Sequence, residues 1–130
     1  ELIRRVEKNE VIYHGLVNNV REYEEKCHCI VLPSFHPEGI SNVLLEGAAS
    51  SRPLITTNRP GCKETVEDGI TGFIVEQKDY EGLVKKMIEF IELSYTQKVE
   101  MGRLGRKKME KEFSREIVVD AYMEVINKSM

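Results

Sequence analysis

Two glutamates flank a segment that runs from a loop into a predicted helix: Glu38 and Glu46. Carboxylates accept paired hydrogen bonds from vicinal hydroxyls, as on a hexose or a ribose. Unbonded N–H groups at the start of a helix, together with the helix dipole, suit an anion such as a diphosphate. Gly39 lets the backbone approach a ligand closely. The N–H groups in question belong to Ile40, Ser41, Asn42 and Val43. This pattern indicates a site for an elongated ligand with hydroxyls at both ends and negative charge in the middle.

Proton transfer is an alternative use for the same two carboxylates. The carboxyl groups of glycosidase pairs lie about 5 to 9.5 Å apart. Eight residues of helix would separate Glu38 from Glu46 by about 12 Å, which argues against a shared proton-transfer role. By spacing alone, Glu46 is also compatible with an ordinary exposed helix position, and that interpretation stays open.

The segment Cys27-His28-Cys29 raises the question of a metal site. A tetrahedral zinc site needs four ligands and usually a wider gap between paired cysteines, so no metal site is predicted. Cys27 is interpreted as the end of a helix and Cys29 as the start of a buried strand. Together with Cys62, these cysteines are too few for a secreted disulfide scaffold and favour a reduced, cytoplasmic setting.

Length and composition predict one domain. The chain has 130 residues, of which 41% are hydrophobic, and its net charge is -3, which argues against a nucleic-acid partner. No apolar run approaches the roughly 20 residues of a membrane span. Residues 1–8 have a helical pattern from the first position, and from this we expect a longer parent chain.

Short apolar runs alternate with helical patterns and predict an α/β fold with a parallel sheet. The predicted strands are Val11–Tyr13, Cys29–Leu32, Leu54–Thr57 and Phe73–Val75. Unbroken apolar character in the second strand, at 30–32, indicates burial on both faces. The predicted intervening helices are Val20–Cys27, a helix from Ser41 or Asn42 to Ala49, and a short one at Lys63–Glu67.

In the last third of the chain, the spacing of apolar residues predicts helices and no strand. Asp79 is predicted to cap the first helix of this part of the chain. The apolar positions of that helix are interpreted as a face toward the core. Those positions are Tyr80, Leu83, Val84, Met87, Ile88 and Ile91. A charged helix at about 97–112 should lie on the surface, and Ser114 caps a last helix with a buried stripe.

Several stretches, taken in order, resemble the retaining glycosyltransferases of the GT-B fold, family 4 (glycosyl transferases group 1). They are the Glu38-to-Glu46 spacing, Ile30–Ser34, Val43–Ala49, Arg52–Thr57, Glu64–Gly69 and Thr71–Val75. The resemblance implies a Rossmann-like parallel sheet flanked by helices, the C-terminal half of a GT-B fold, with its first strand truncated. Residues 1–130 would form one nucleotide-sugar-binding domain, with terminal helices at about 79–130. The sequence departs from the family pattern at Ser41, Ser51 and Pro60-Gly61-Cys62.

The resemblance also implies a role for each site residue. Glu38 would be the catalytic-site carboxylate that holds hydroxyls of the donor sugar, and Glu46 would bind the nucleotide ribose. The amides near Gly39, Ile40 and Ser41 would face the sugar and the diphosphate, with Asn42 and Val43 completing the helix N-terminus. Leu16 and Val17 align with a loop whose backbone contacts the base in similar enzymes.

The implied activity is transfer of a sugar from a nucleotide-sugar, with a UDP-sugar favoured, in the synthesis of capsule, O-antigen or another cell-surface polysaccharide. No metal or other cofactor is required. An acceptor sugar or lipid-linked oligosaccharide would bind a missing N-terminal domain, so the isolated domain should be inactive. The implied location is the cytoplasm, with peripheral association at the inner membrane face left open. Two alternatives also remain: half of a nucleotide-sugar epimerase, and a non-enzymatic α/β signalling module.

Overall fold

The computed structural model describes residues 22–23, 26–34 and 39–113. Within these ranges the chain forms a three-stranded parallel sheet with helices packed on both of its faces. The elements are β1 (Ile30–Leu32), α1 (Asn42–Ala49), β2 (Leu54–Thr57), a 3-10 turn (Lys63–Thr65), β3 (Gly72–Val75), α2 (Tyr80–Glu92) and α3 (Tyr95–Glu112). The predicted α/β class and parallel sheet are confirmed, and the three described strands begin within one residue of their predicted starts.

β2 is the central strand, and it separates two core layers. All four of its residues are buried, and their side chains alternate between the two faces of the sheet. Leu54 packs on one face with Leu44 and Ala48 of α1, while Ile55 packs on the other with Phe73 and Phe90. The sheet is therefore covered by α1 on one side and by α2 on the other.

The predicted burial of β1 on both faces is wrong for Val31, which is 36% exposed. β1 is an edge strand of the described sheet. Its neighbours Ile30 and Leu32 pack on the α1 side, whereas Val31 points to the opposite face. One face of this strand is therefore covered and the other is open within the described part of the chain.

Local chemistry sets both ends of α1. The Ser41 hydroxyl accepts a hydrogen bond from the Leu44 N–H at 3.4 Å, which caps the N-terminus as predicted. At the other end, Ser51 adopts a left-handed backbone with φ of 60°, and its N–H donates to the carbonyl of Ala48 at 3.0 Å. Glycine adopts this conformation more easily, which gives a physical reason for the glycine often found at this position in the family pattern.

α2 begins at its predicted cap, Asp79, but it packs differently from the prediction. Leu83 and Phe90 face the core that contains β2 and β3. The other apolar positions predicted to be buried are exposed: Tyr80, Val84, Met87, Ile88 and Ile91. The helix contacts the sheet through a narrow stripe that contains Leu83 and Phe90. The rest of its apolar face points away from the sheet. The prediction of a core face is therefore wrong for those five residues.

α3 links the two core layers. It begins at Tyr95, after a capping box formed by Ser94 and Gln97. Met101 packs in the layer that contains Phe73, and Met109 packs in the layer that contains Leu44. A helix of this length spans about 27 Å, enough to reach both layers. α3 is thus partly buried rather than confined to the surface.

Several predicted elements lie outside the described residues, including the strand at 11–13 and the helix that follows Ser114. Of the helix predicted at 20–27, only Glu22, Tyr23 and Lys26 are described as helical. The short helix predicted at 63–67 is a 3-10 turn that ends at Thr65. No helix among the described residues combines the length and the apolar character needed to span a membrane.

Candidate functional site

The candidate site lies where β1 and β2 end side by side at the carboxyl edge of the sheet. Two threonines of β2 hold the segment that leaves β1. The Thr56 hydroxyl donates to the carbonyl of Leu32 at 2.8 Å, and the Thr57 hydroxyl donates to that of Ser34 at 2.5 Å. In open parallel sheets, ligands bind beyond the carboxyl ends of the strands. The chain is therefore anchored as far as Ser34, at the position expected for a ligand site.

The junction of this loop with α1 is open to solvent. Ile40 is 46% exposed, Asn42 and Val43 are also exposed, and a Cβ placed on Gly39 would have no neighbour within 4 Å. The backbone N–H groups of Ile40, Asn42 and Val43 make no hydrogen bond to protein in the described part of the chain. They can therefore donate to an anionic ligand at the positive end of the helix dipole.

The predicted availability of the Ser41 N–H is wrong. This group donates to the carbonyl of Gly61 at 2.9 Å. The Ser41 side chain is also occupied, because its hydroxyl caps the helix at Leu44. Ser41 lies within the site, but it links α1 to the segment after β2 and does not offer its N–H to a ligand.

Glu46 is exposed on α1, four residues after Asn42 and about 6 Å further along the helix axis. Its carboxylate makes no hydrogen bond or ion pair with the described residues. It borders a cleft of about 390 Å³ between α1 and the end of α3, next to Arg106 and Phe113. Arg106 donates to the carbonyl of Ala49 at 2.6 Å and pairs with Glu110 rather than with Glu46. Glu46 is thus available to hydroxyl groups of a ligand.

The structure brings together the predicted residues from Gly39 to Val43 and places Glu46 on the same helix. Glu38, Leu16 and Val17 lie outside the described residues, so their roles remain predictions. The arrangement can bind a diphosphate at the N-terminus of α1 and hydroxyl groups beside the helix.

Sequence reasoning missed Arg59 as a component of this region. Arg59 follows β2 and is only 2% exposed, and its guanidinium donates to the carbonyl of Pro60 at 2.6 Å and to Cys62 Sγ at 2.9 Å. Since β1 and β2 are adjacent and parallel, the residues after each strand meet at one edge of the sheet. The polar segment after the strand at 54–57 was the signal that could have located this residue.

The sequence matches the family model described as "Glycosyl transferases group 1" over residues 1–92, well over half of the chain. The chain belongs to the glycosyl transferases group 1 family. It is 35% identical over 102 residues to CapM of Staphylococcus aureus, a capsular polysaccharide biosynthesis glycosyltransferase; the alignment covers 78% of this chain and 26% of CapM. The chain spans about a quarter to a third of the length of three curated relatives that it matches.

Solved structures confirm the fold of this family member. A glycosyltransferase from Rickettsia africae superposes with a TM-score of 0.87 at 25% identity, covering 98% of this chain and 34% of that one. Anabaena HepE, solved in complex with UDP-glucose, has a TM-score of 0.81 at 16% identity, covering 98% of this chain and 36% of HepE. The predicted Rossmann-like parallel sheet flanked by helices is that of the GT-B glycosyltransferases.

Several basic residues on α2 and α3 of this glycosyl transferases group 1 member pair with acidic residues of the same helix. Lys86 pairs with Glu89 at 3.0 Å, and Lys108 pairs with Glu112 at 2.6 Å. Arg106 also has an acidic partner on the same helix, at 2.9 Å. The pairs of Lys86 and Arg106 are typical of solvated helix faces, whereas the Lys108 side chain is only 11% exposed.

The cysteines of this glycosyl transferases group 1 member are not part of a metal cluster in the described residues, where no group of three His, Cys, Asp or Glu side chains could hold an ion. Cys27, Cys29 and Cys62 form no disulfide bond among the described residues. Burial, assisted by the neighbouring Cys27, raises the pKa of Cys29 from 9.0 to about 12. At neutral pH, Cys29 is therefore a protonated thiol beside the core.

The raised pKa of Cys29 predicts resistance to alkylation. At pH 9 the folded chain should leave Cys29 unmodified by iodoacetamide, while the same chain in urea should be modified there, because only the thiolate reacts. The folded chain holds the Cys29 proton more tightly than the unfolded chain does. The contribution of Cys29 to the free energy of unfolding is therefore complete below pH 9 and is lost between pH 9 and about 12. Peptide mass spectrometry measures the modification, and equal rates in the folded and urea-treated chains would contradict the prediction.

Proposed function

We propose that this chain is the C-terminal, donor-binding domain of a family 4 retaining glycosyltransferase with the GT-B fold. The complete enzyme would transfer a sugar from a nucleotide-sugar to an acceptor during synthesis of capsule, O-antigen or another cell-surface polysaccharide. The observation that carries this proposal is the open N-terminus of α1 at the carboxyl edge of a parallel sheet, with Glu46 on the same helix. CapM, the capsular relative, supports the proposed biological role.

In this proposal, the N-terminus of α1 binds the donor diphosphate. The unbonded N–H groups of Asn42 and Val43 would donate to phosphate oxygens, and the helix dipole would add favourable potential. Negative charge grows on the diphosphate as the bond to the sugar breaks, so these donors stabilise the transition state more than the bound substrate. Removal of one comparable donor from an oxyanion site costs about 3 kcal/mol, which shows that a few N–H groups can supply a substantial part of catalysis.

The two glutamates would bind the hydroxyl-bearing parts of the donor. Glu46 would accept hydrogen bonds from the ribose, since its carboxylate is exposed and makes no bond to the described residues. Glu38 would hold hydroxyls of the transferred sugar, and the backbone at Leu16 and Val17 would contact the base. A UDP-sugar is the favoured donor, and the HepE complex with UDP-glucose, a protein of the same fold, supports that choice.

The remaining functions are assigned to other parts of the complete protein. An acceptor sugar or lipid-linked oligosaccharide would bind an N-terminal domain, and neither a metal nor another cofactor is required. We place the enzyme in the cytoplasm, where free thiols such as Cys62 remain reduced, with peripheral contact at the inner membrane face.

Calorimetric titration of the chain with UDP, GDP and ADP, each with and without an attached sugar, tests the proposal. We expect UDP and UDP-sugars to bind more tightly than the corresponding guanine and adenine nucleotides, with the same affinity after addition of EDTA. The chain alone should transfer no sugar. Absence of binding to every nucleotide would contradict the donor-site assignment, and turnover by the chain alone would contradict the need for a second domain.

A further inference from the structure

Arg59 lies in a tight turn after β2, which we define as residues 59–62 and call the Arg59 turn. A guanidinium carries a positive charge, and a buried charge is costly unless hydrogen bonds compensate for the lost water. Two of its nitrogens donate within the turn, Nη1 to the carbonyl of Pro60 at 2.6 Å and Nη2 to Cys62 Sγ at 2.9 Å. The side chain therefore connects the middle of the turn with its end.

The backbone of the Arg59 turn is held by further hydrogen bonds. The N–H groups of Cys62 and Lys63 both donate to the carbonyl of Arg59 at 3.0 Å. Gly61 has a left-handed backbone, with φ of 93°, and its N–H donates to the Glu64 carboxylate at 2.8 Å. These bonds determine the direction of the Gly61 carbonyl.

The Arg59 turn contacts the N-terminus of α1 in two ways. The carbonyl of Gly61 accepts the hydrogen bond from the Ser41 N–H at 2.9 Å. Cys62 is fully buried and belongs to the same core cluster as Leu44, in the first turn of α1. The position of the turn therefore sets where α1 begins, and with it the direction of the N–H groups at Asn42 and Val43.

We propose that Arg59 is a positioning residue for the donor site, acting through Gly61 and Ser41 on the N–H groups that receive a nucleoside diphosphate. This inference rests on the proposed function. Arg59 itself is buried and exerts its effect through geometry, because hydrogen bonds weaken steeply as the donor angle departs from linearity. The planar fork of arginine is needed for this role, since lysine keeps the charge but cannot donate in two fixed directions.

The test is Arg59→Lys in the full chain, with two measurements. We expect the affinity for UDP to fall about tenfold, as for loss of a hydrogen bond that involves a charged group. Hydrogen exchange at the Ser41 amide should accelerate by a similar factor without ligand, while exchange at Ile55 in β2 stays unchanged. Arg103→Lys is the matched control: Arg103 is exposed and pairs with Glu100 on the surface of α3, so neither measurement should change.

Cys62→Ala provides a second, milder variant that removes the sulfur acceptor of Arg59. We expect faster exchange at Ser41 and weaker UDP binding, in the same direction as for Arg59→Lys. Unchanged exchange at Ser41 and unchanged UDP affinity in both variants would overturn the inference. Equal acceleration at Ser41 and Ile55 would also overturn it, because that result indicates general destabilisation. Failure of the unmodified chain to bind UDP would instead reject the proposed donor site, and the Ser41 exchange result would still test the structural link.

Discussion

Replacement of Gly102 by alanine is expected to lower the free energy of unfolding by about 3 kcal/mol or more, since overpacking against rigid groups commonly costs 1–3 kcal/mol. Gly102 lies on α3 where the helix crosses the end of α1. A Cβ at this position would stand 2.0 Å from the carbonyl oxygen of Ser51 and 2.8 Å from its carbon. Real Cβ atoms do not approach a backbone oxygen so closely, so α3 or the turn at Ser51 must move.

The turn at Ser51 has little freedom to yield. The Ser51 N–H donates to the carbonyl of Ala48, and the Arg52 N–H donates to that of Gly47, both at 3.0 Å. Pro53, which follows Arg52, is buried immediately before β2. Moving the Ser51 carbonyl would therefore disturb the end of α1 and the entry to the central strand together. This is why the expected cost is at the high end of the range for a single added methyl group.

Gly105→Ala is the matched control for this prediction. Gly105 is one turn further along α3, and a Cβ there would lie 3.7 Å from Cβ of Thr71, an ordinary van der Waals distance. Because alanine is a better helix former than glycine by about 1 kcal/mol, this variant should be neutral or more stable. Urea denaturation measures the free energy of unfolding of both variants. Equal stability of the two would contradict the close approach of α3 to Ser51.

Glu46→Ala is expected to weaken UDP binding by about 10- to 100-fold, since hydrogen bonds to a charged group contribute about 1.5–3 kcal/mol. In the proposed site, this carboxylate accepts hydrogen bonds from the ribose hydroxyls. Its exposure and lack of partners among the described residues mean that the substitution leaves no buried group unsatisfied. Stability should therefore change little, and the loss should fall on the affinity measured by calorimetry.

Glu92→Ala is the matched control for Glu46→Ala. Glu92 is an exposed glutamate on a helix, but it lies at the end of α2, which leads away from the carboxyl edge of the sheet. Both variants remove one negative charge and introduce the same helix-forming residue. UDP affinity should be unchanged in Glu92→Ala. Retention of full affinity in Glu46→Ala would reject the ribose assignment, whereas equal losses in both variants would point to net charge alone.

The secondary structure of the described residues was largely predictable because its causes are local. An apolar run bounded by polar residues predicted β2. Ser41 and Asp79 predicted the starts of two helices, because their side chains accept hydrogen bonds from N–H groups in the first turns. Such caps act within three residues along the chain, so neighbouring residues in the sequence are enough to predict them. The left-handed backbone at Ser51 is also a local feature, but serine at this position did not predict it.

The candidate site was predictable only in part. Its location at the carboxyl end of β1 follows from a strand, a loop and a helix in succession, and the structure places Asn42, Val43 and Glu46 there. The availability of the Ser41 N–H was not predictable, because its partner, Gly61, is twenty residues away along the chain. The bonds of Arg59 to Pro60 and Cys62 are local, but the link from its turn to the Ser41 N–H spans the same twenty residues and was missed for that reason.

By itself, the sequence determined the order of strands and helices, their caps, and the carboxylate spacing around a helix N-terminus, since each depends on contacts between neighbours along the chain. Tertiary structure alone decided which apolar face of α2 is covered, how closely α3 approaches Ser51, and which N–H groups of the site remain unbonded. Burial and close approach depend on residues distant in sequence that meet only when the sheet has formed. Periodicity identifies an apolar stripe, but the neighbours that meet it determine whether it becomes core.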